Sequence, residues 1–420
     1  MSIKGVSGTD LWEMLFAVEN AAPVDAADAV TRRLAIGLGA TAASFLVADL
    51  SGRALVRLAH VPYFTPADTR RQDEEVATVL PFDGGPQEQA LRSQRVQVGP
   101  GANGAYIVMA PVTERGEVIG LLELTLPTEP DEAALNAVSL GAHVLAYVVI
   151  AARRHTDLFE WGQRTAPFNL AAEIQRRLLP SAFTCEAAAF TLSAWLEPAA
   201  SIGGDTFDYS LARDVLHMSV TDAMGHGVNS ALLATLGVGS LRNSRRVGMA
   251  LTDQAAAANQ TLKDNAPGGF GFATGLIAQL ELPTGLLRMV NAGHIPPLLV
   301  RGQVVEELML PIDLPFGIRS EQTYRATELA LRPGDRLVLL TDGMLERRVA
   351  FVDLTHHLLE LADSHPREVV RELADAVLAA GGSALADDAS LLVLDWYGDH
   401  DNPRSARHGA DPERASDPTA

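Results

Sequence analysis

From Phe190 to Trp396 the sequence breaks into short apolar runs bounded by Gly, Pro and Asp. Phe190–Leu196, Thr206–Leu211 and Val215–Thr221 read as strands in a meander. Ala273–Leu282 and Leu286–Asn291 alternate around Pro283-Thr284-Gly285 as a hairpin. Pro297–Val300, Thr323–Ala330, Asp335–Thr341 and Ser390–Trp396 read as further strands. Two pairs of helical stretches interrupt them: Val228–Arg245 with Leu251–Asp264, and Val352–Ala362 with Pro366–Ala379. Many antiparallel strands with paired helices imply a sandwich of two sheets covered by helices.

The 420 residues leave room for more than that sandwich. Leu11–Leu38 has helical spacing broken by Pro23. Ala43–Ala48 and Ala54–Ala59 read as one strand pair, Tyr106–Val112 and Val118–Leu126 as another. Pro130-Asp131-Glu132 then opens a long Ala-rich helix whose pattern runs on to Arg164. Asn169 caps a further helix to Leu179, with Leu170, Ile174 and Leu178 on one face and Pro180 as the stop. Helices, hairpin, irregular middle, hairpin and helix make an α+β domain, so the class of the whole chain is α+β. The order of elements resembles a GAF sensory domain, which implies a small-molecule ligand over the sheet. The expected organisation is a GAF-like domain over 1–150, a helical linker or switch over 151–180, the sandwich over 181–398 and a disordered tail over 399–420. Long helices between domains often pair with a twin, so a homodimer is expected.

Composition narrows the function. A 47% hydrophobic share excludes a wholly disordered chain. Fifty-two acidic against 33 basic residues give a net charge of -19, which argues against nucleic acid or anionic membrane as a partner. Cys185 stands alone, so no intrachain disulfide forms, and it reads as a packed thiol. The N-terminus has no charged segment followed by an apolar one, so no signal peptide is expected. Ala133–Ala152 is apolar for about the length of a membrane span. Asn136, Ser139 and His143 within it favour a buried helix. A cytoplasmic protein is expected.

Carboxylates at strand ends point to chemistry. Ser201-Ile202-Gly203-Gly204-Asp205 closes one loop. Thr221-Asp222-Ala223-Met224-Gly225-His226-Gly227 follows a strand and opens a helix. Thr341-Asp342-Gly343 ends another strand, and Asp387-Asp388-Ala389-Ser390 begins the last. One such Asp is an ordinary turn residue. Four sets in one sheet-rich domain are more than that, because strand ends on facing sheets converge and like carboxylates crowd only when cations neutralise them. Hard oxygen donors without Cys or paired His suit Mg²⁺ or Mn²⁺. Two such ions activate water for hydrolysis of a phosphate ester.

These stretches, together with Ala172–Pro180, Ile202–Tyr209, Asn291–His294, Leu314–Gly317 and Arg332–Asp335, occur in order over 172–396. The region resembles the metal-dependent protein phosphatase family (PPM, type 2C) in its bacterial SpoIIE/RsbU branch. The resemblance implies an αββα sandwich and hydrolysis of phosphoserine or phosphothreonine on a protein. It implies that Asp222 bridges two divalent cations, Mn²⁺ or Mg²⁺, that Asp342 and Asp387 complete one site, and that Asp205 and the Ala223 carbonyl complete the other. The implied substrate is a phosphorylated STAS-type anti-sigma-factor antagonist, under control of the sensor domain. Asp388 ranks second to Asp387, because strand alternation points it elsewhere. His226 is a candidate general acid or a loop-holding residue. His294 is expected to be structural, and Glu346 either supports the site or is a solvated helix start. No motif places an Arg to clamp phosphate. Gly203–Phe207 also resembles the GGDEF motif of diguanylate cyclases, but Thr206 replaces an acidic residue there and that family leaves Asp342 and Asp387 unexplained. The alternative of another class is a GAF-based scaffold with an inactive phosphatase domain.

Overall fold

The structure is a computed structural model that describes residues 8–49, 54–62, 78–82, 84–163, 169–197, 204–345, 353–381, 387–398, 404, 406 and 408–416. The chain divides into two compact units, 1–167 with 405–420, and 168–404.

The first unit contains α1 (Gly8–Glu19), α2 (Ala26–Leu38), β1 (Ala42–Ala48), β2 (Ala54–Pro62), β3 (Thr78–Pro81), α3 (Pro86–Ser93), β4 (Gln97–Pro100), β5 (Tyr106–Glu114), β6 (Glu117–Leu126), α4 (Glu132–Ala152) and α5 (Leu158–Gly162). Its six strands form one antiparallel sheet in the order β3-β2-β1-β6-β5-β4. The stretch that reads as irregular therefore supplies β3, α3 and β4. Arg115 and Gly116 both take positive φ between β5 and β6, as a two-residue hairpin turn requires.

Phe45, Val47, Leu122 and Leu124 on one face of the sheet bury Val30 and Leu34 of α2 and Val138, Leu145 and Val149 of α4. Helix α4 is long and apolar enough to cross a membrane by length and composition. Here its apolar residues fill a core. The Asp131 carboxylate accepts from the Ala134 amide at 2.8 Å and starts it. The helix stops at Ala152 and does not run to Arg164. Thr156 Oγ1 accepts from the Leu158 amide at 3.2 Å, a local bond that competes with helix continuation.

Residues 408–416 depart from the expected disorder of 399–420. The Gly409 carbonyl accepts from the Gly116 amide at 3.0 Å and Ala410 is buried. A Cβ on Gly409 would lie 1.9 Å from the Thr113 carbonyl oxygen, so only glycine lets the chain come this close.

The second unit contains α6 (Leu170–Leu178), β7 (Thr184–Glu186), β8 (Phe190–Glu197), β9 (Asp205–Leu211), β10 (Val215–Ala223), α7 (Val228–Arg246), α8 (Leu251–Asn265), β11 (Ala273–Glu281), β12 (Leu286–Ala292), β13 (Leu298–Arg301), β14 (Val304–Glu307), β15 (Ile312–Asp313), β16 (Ala326–Ala330), β17 (Asp335–Leu340), α9 (Leu354–Glu360), α10 (Pro366–Gly381) and β18 (Ala389–Trp396). One sheet has the order β15-β12-β11-β10-β9, with β16 also on β12; the other is β14-β13-β17-β18-β8-β7. The expected meander needs correction. β8 pairs with β18 and β7 in the second sheet, while β9 and β10 pair in the first. Alternation along a strand reports burial, not which sheet the strand joins.

Every second residue turns inward. Met218, Val220, Leu276 and Leu280 from one sheet meet Leu192, Leu337, Leu339 and Leu394 from the other. On the outer faces, Leu233, Ala255 and Leu262 of α7 and α8 cover Ile277 and Val290. Leu358, Val369, Leu373 and Val377 of α9 and α10 cover Val338, Leu340 and Val393. The unit is the αββα sandwich, which is why β17 is buried along its whole length.

Candidate active site

The carboxylates gather where four strand ends meet. β9 begins at Asp205, opposite Asp222 near the end of β10. β17 ends at Leu340, just before Thr341 and Asp342, and its partner β18 starts just after Asp387 and Asp388. The sheets are tied across this edge. Thr341 Oγ1 and Ser390 Oγ both donate to Asp205 Oδ2, at 2.6 and 2.9 Å. Thr341 Oγ1 in turn accepts from the Ser390 amide at 2.9 Å.

Asp388 is fully buried and points away from Asp387, as alternation requires. Its Oδ2 accepts from the Gly204 amide at 3.0 Å, the Asp205 amide at 3.3 Å and Gln175 Nε2 at 2.8 Å. Gln175 Nε2 also reaches the Asp205 carbonyl at 2.8 Å. Gln175 escapes the sequence reading, which puts the apolar face of α6 on Leu170, Ile174 and Leu178. In the structure Leu170 is exposed, and Ala171, Ala172 and Gln175 are buried. The sequence signals for Gln175 are its place within the Ala172–Pro180 stretch and its spacing of three and four residues after Ala172 and Ala171, on one helix face. Asn169 Oδ1 accepts from the Ala172 amide at 2.9 Å, the cap the sequence implies.

Electrostatics mark the same place. Burial, then the charges of Asp342, Asp387 and Asp388, push Asp222 up to about 7. Burial, then Asp222 and Asp388, hold Asp205 well above the usual carboxylate range, against the pull of its two hydroxyl donors. Burial and Asp342 raise Asp387. These neighbours are all acidic, and among the described residues no ion pair to Asp205, Asp222, Asp342 or Asp387 is formed. The Ala223 carbonyl accepts from Ser230 Oγ at 3.0 Å. Among the described residues no three acidic or histidine side chains converge on one point to hold an ion. The set is an open cluster of oxygen donors within electrostatic reach of each other. All-oxygen donors under mutual repulsion suit hard divalent cations, so the residues present fit Mg²⁺ or Mn²⁺.

His226 is exposed in the turn between β10 and α7. Glu346 and Ser201-Ile202-Gly203 lie outside the described residues. His294 is buried, with Nδ1 2.8 Å from Thr274 Oγ1 and Nε2 3.1 Å from the Leu340 carbonyl. It joins β11 to the end of β17. Burial pushes this imidazole down to about 4, so it is neutral in the folded protein. A base whose folded pKa is depressed contributes stability that is complete above the unfolded value of ~6.5 and is lost as pH falls toward the folded value. The stability difference between wild type and His294→Gln should therefore narrow by about 2–3 kcal/mol between pH 7 and pH 4 in urea unfolding. A difference independent of pH would contradict a neutral buried His294.

Fold and site together define a PPM-type phosphatase domain. Residues 212–397 match the family model described as Stage II sporulation protein E (SpoIIE). The domain belongs to the SpoIIE/RsbU-type PPM phosphatases. Asp222, Ala223, Asp342, Asp387 and Asp388 lie inside the matched span; Asp205 and α6 precede it. The chain is 24% identical over 233 residues to phosphoserine phosphatase RsbU of Bacillus subtilis, covering 54% of this chain and 68% of that protein. It is 21% identical over 221 residues to phosphoserine phosphatase RsbP of the same organism, covering 49% and 52%. The chain thus spans about two thirds of one relative and about half of the other. Among solved structures, the RsbU and RsbW domains of Rv1364c from Mycobacterium tuberculosis share 23% identity at a TM-score of 0.45, over 51% of this chain and 61% of that one.

Proposed function

We propose that the chain removes phosphate from phosphoserine or phosphothreonine on a partner protein in the cytoplasm, using two divalent cations, Mn²⁺ or Mg²⁺. The observation that carries this is the crowding of Asp222 with Asp342 and Asp387 at the strand ends: burial, then acidic neighbours, push Asp222 and Asp387 upward. Asp222 would lie between the ions. Asp342 and Asp387 would hold one, and Asp205 with the Ala223 carbonyl the other. Thr341 and Ser390 occupy Asp205 Oδ2, which leaves Oδ1 for an ion. Bound Mg²⁺ or Mn²⁺ supplies activated water and offsets charge on the phosphoryl oxygens. The carboxylates would fix where those ions stand, and the buried Thr341–Asp205–Ser390 contacts keep the two sheet edges from drifting apart. The names of RsbU and RsbP support phosphoserine as the substrate. Resemblance to their branch points to a phosphorylated STAS-type anti-sigma-factor antagonist.

Control by the first unit is part of the same proposal. Its architecture suits a GAF-like sensor for a small ligand, and its exposed Trp12 and Phe16 on α1 and Tyr147 on α4 support a homodimer. α6 is the first element of the second unit, and Gln175 touches both the Asp205 carbonyl and the Asp388 carboxylate. A shift of α6 would loosen both contacts at once. The test is phosphate release from a phosphoserine-bearing STAS-type antagonist by the full chain with Mn²⁺, beside Gln175→Leu. Release should vanish on chelation, and the variant should turn over about tenfold more slowly, the size of one lost buried hydrogen-bonding partner. Release that survives chelation would overturn metal dependence. Unchanged turnover in the variant would overturn control through α6.

A further inference from the structure

Asp222 stands in the middle of a row. Register places Asp205 of β9, Asp222 of β10 and Thr274 of β11 side by side on adjacent strands. They continue the inward-facing positions of Phe207, Val220 and Leu276, so all three side chains leave their sheet toward the other one. At one end of the row Asp205 reaches across to Thr341 and Ser390. At the other end Thr274 reaches across through His294. The Thr274 hydroxyl lies 2.8 Å from His294 Nδ1, and His294 Nε2 lies 3.1 Å from the Leu340 carbonyl oxygen. The imidazole is neutral and a carbonyl only accepts, so Nε2 carries the ring proton and Nδ1 accepts from Thr274. The buried Asn291 side chain holds the backbone behind the ring: it accepts from the His294 amide at 2.8 Å and donates to the His294 carbonyl at 2.9 Å. The two ties land on neighbouring residues, Leu340 and Thr341, and the next residue is Asp342.

We propose that His294 is a positioning residue: with Thr274 it sets how far Asp342 stands from Asp222, and so shapes the ion site before an ion arrives. The proposal rests on the phosphatase reading, in which both carboxylates hold ions. The charge of Asp342 raises Asp222, so in the metal-free protein the two repel. Backbone gripped at Leu340 and at Thr341 resists that repulsion from both sides of Asp222. Without the His294 tie the turn is gripped on the Asp205 side and released on the Thr274 side, and Asp342 is free to move away. Ions bind a preformed pair of carboxylates more tightly than a pair they must first draw together. His294 acts through Thr274 and the Leu340 backbone, not by touching an ion or a substrate. The Asn291–His294 stretch, which supplies no carboxylate, thereby takes a part in the site.

The test uses the full chain and Mn²⁺, with binding read by calorimetry and turnover by hydrolysis of p-nitrophenyl phosphate. A Gln amide reaches about as far from the backbone as Nε2 and carries an acceptor beside its donor, so it spans from Thr274 to Leu340. An Asn amide reaches about as far as Nδ1 and stops short of Leu340. Mn²⁺ should bind about tenfold more weakly to His294→Asn and to Thr274→Val, the range for lost partners just outside a metal's ligands, and within about threefold of wild type to His294→Gln. Turnover at saturating Mn²⁺ should follow the same order. Wild-type Mn²⁺ affinity in His294→Asn and Thr274→Val overturns the proposal, even where both melt earlier, because His294 would then only stabilise the fold. Equal weakening in the Asn and Gln variants overturns it too, because the bond to Leu340 would not be what matters. Should both His294 variants fail to fold, Thr274→Val, which keeps a β-branched residue in β11, decides alone. The expected order of affinities without any hydrolysis by wild type overturns the phosphatase reading and leaves His294 as the positioning residue of a metal site. No binding of Mn²⁺ to wild type overturns both.

Discussion

Asp222→Asn should lose metal-stimulated phosphate release by on the order of a thousandfold, the several kcal/mol that a positioned cation supplies. Asp222 is the carboxylate that feels Asp342, Asp387 and Asp388 together. Its amide replacement keeps the shape and removes the charge that would hold ions between the two sheet edges. The same change should leave the metal-free protein at least as stable as wild type. An acid whose folded value is raised to about 7 weakens the fold when it ionises at higher pH, and the amide cannot ionise. Added Mn²⁺ should then raise the melting temperature of wild type but not of the variant. Activity within tenfold of wild type would overturn Asp222 as the shared ligand. Loss of activity with a lower metal-free melting temperature would mean a folding defect instead.

Gly343→Ala should be nearly as damaging by a different route. A Cβ at this position would lie 1.9 Å from the Asp388 carbonyl oxygen and 2.8 Å from its carbon. Both atoms are backbone, so no side chain can swing aside. Either the 342–345 turn moves or the start of β18 does, and both carry a candidate ligand. Overpacking of this kind costs about 1–3 kcal/mol, which should lower the melting temperature by several degrees. The activity loss should be larger than that and persist far below the melting temperature, because Asp342 and Asp387 no longer face Asp222 as before. We expect at least about a hundredfold, within the range for a misplaced catalytic group. Wild-type turnover and wild-type metal affinity in this variant would show that the turn and strand do not have to approach so closely.

Much of this arrangement was legible in the sequence wherever local chemistry decides the outcome. Asp131 and Asn169 cap the helices they precede because their side chains satisfy nearby amides. The aspartates at strand ends stand together because β9–β10 and β17–β18 pair in register, and pairing in register aligns ends. What the sequence hid depends on partners far along the chain. β8 looks like the first strand of a meander but joins β18, almost two hundred residues later. Gln175 looks like a surface residue until Asp205 and Asp388 arrive to accept from it. Leu170 looks like core because leucine usually is, but Ala171 and Ala172 are what fit against the sandwich. Asp205 reads as a plain ligand, and only the fold shows one of its oxygens committed to Thr341 and Ser390.

Asp205, Thr341 and Ser390 come from three distant stretches, yet one oxygen atom serves both hydroxyls. Exchanging Asp205 for an apolar residue strands both buried hydroxyls, and exchanging Thr341 strands the buried Ser390 amide. A lineage that gave up catalysis and discarded Asp342 or Asp387 would still be held to this trio, because it fastens one sheet to the other. Carboxylate and paired hydroxyls should thus be inherited as a block, and they should outlast the activity they now surround.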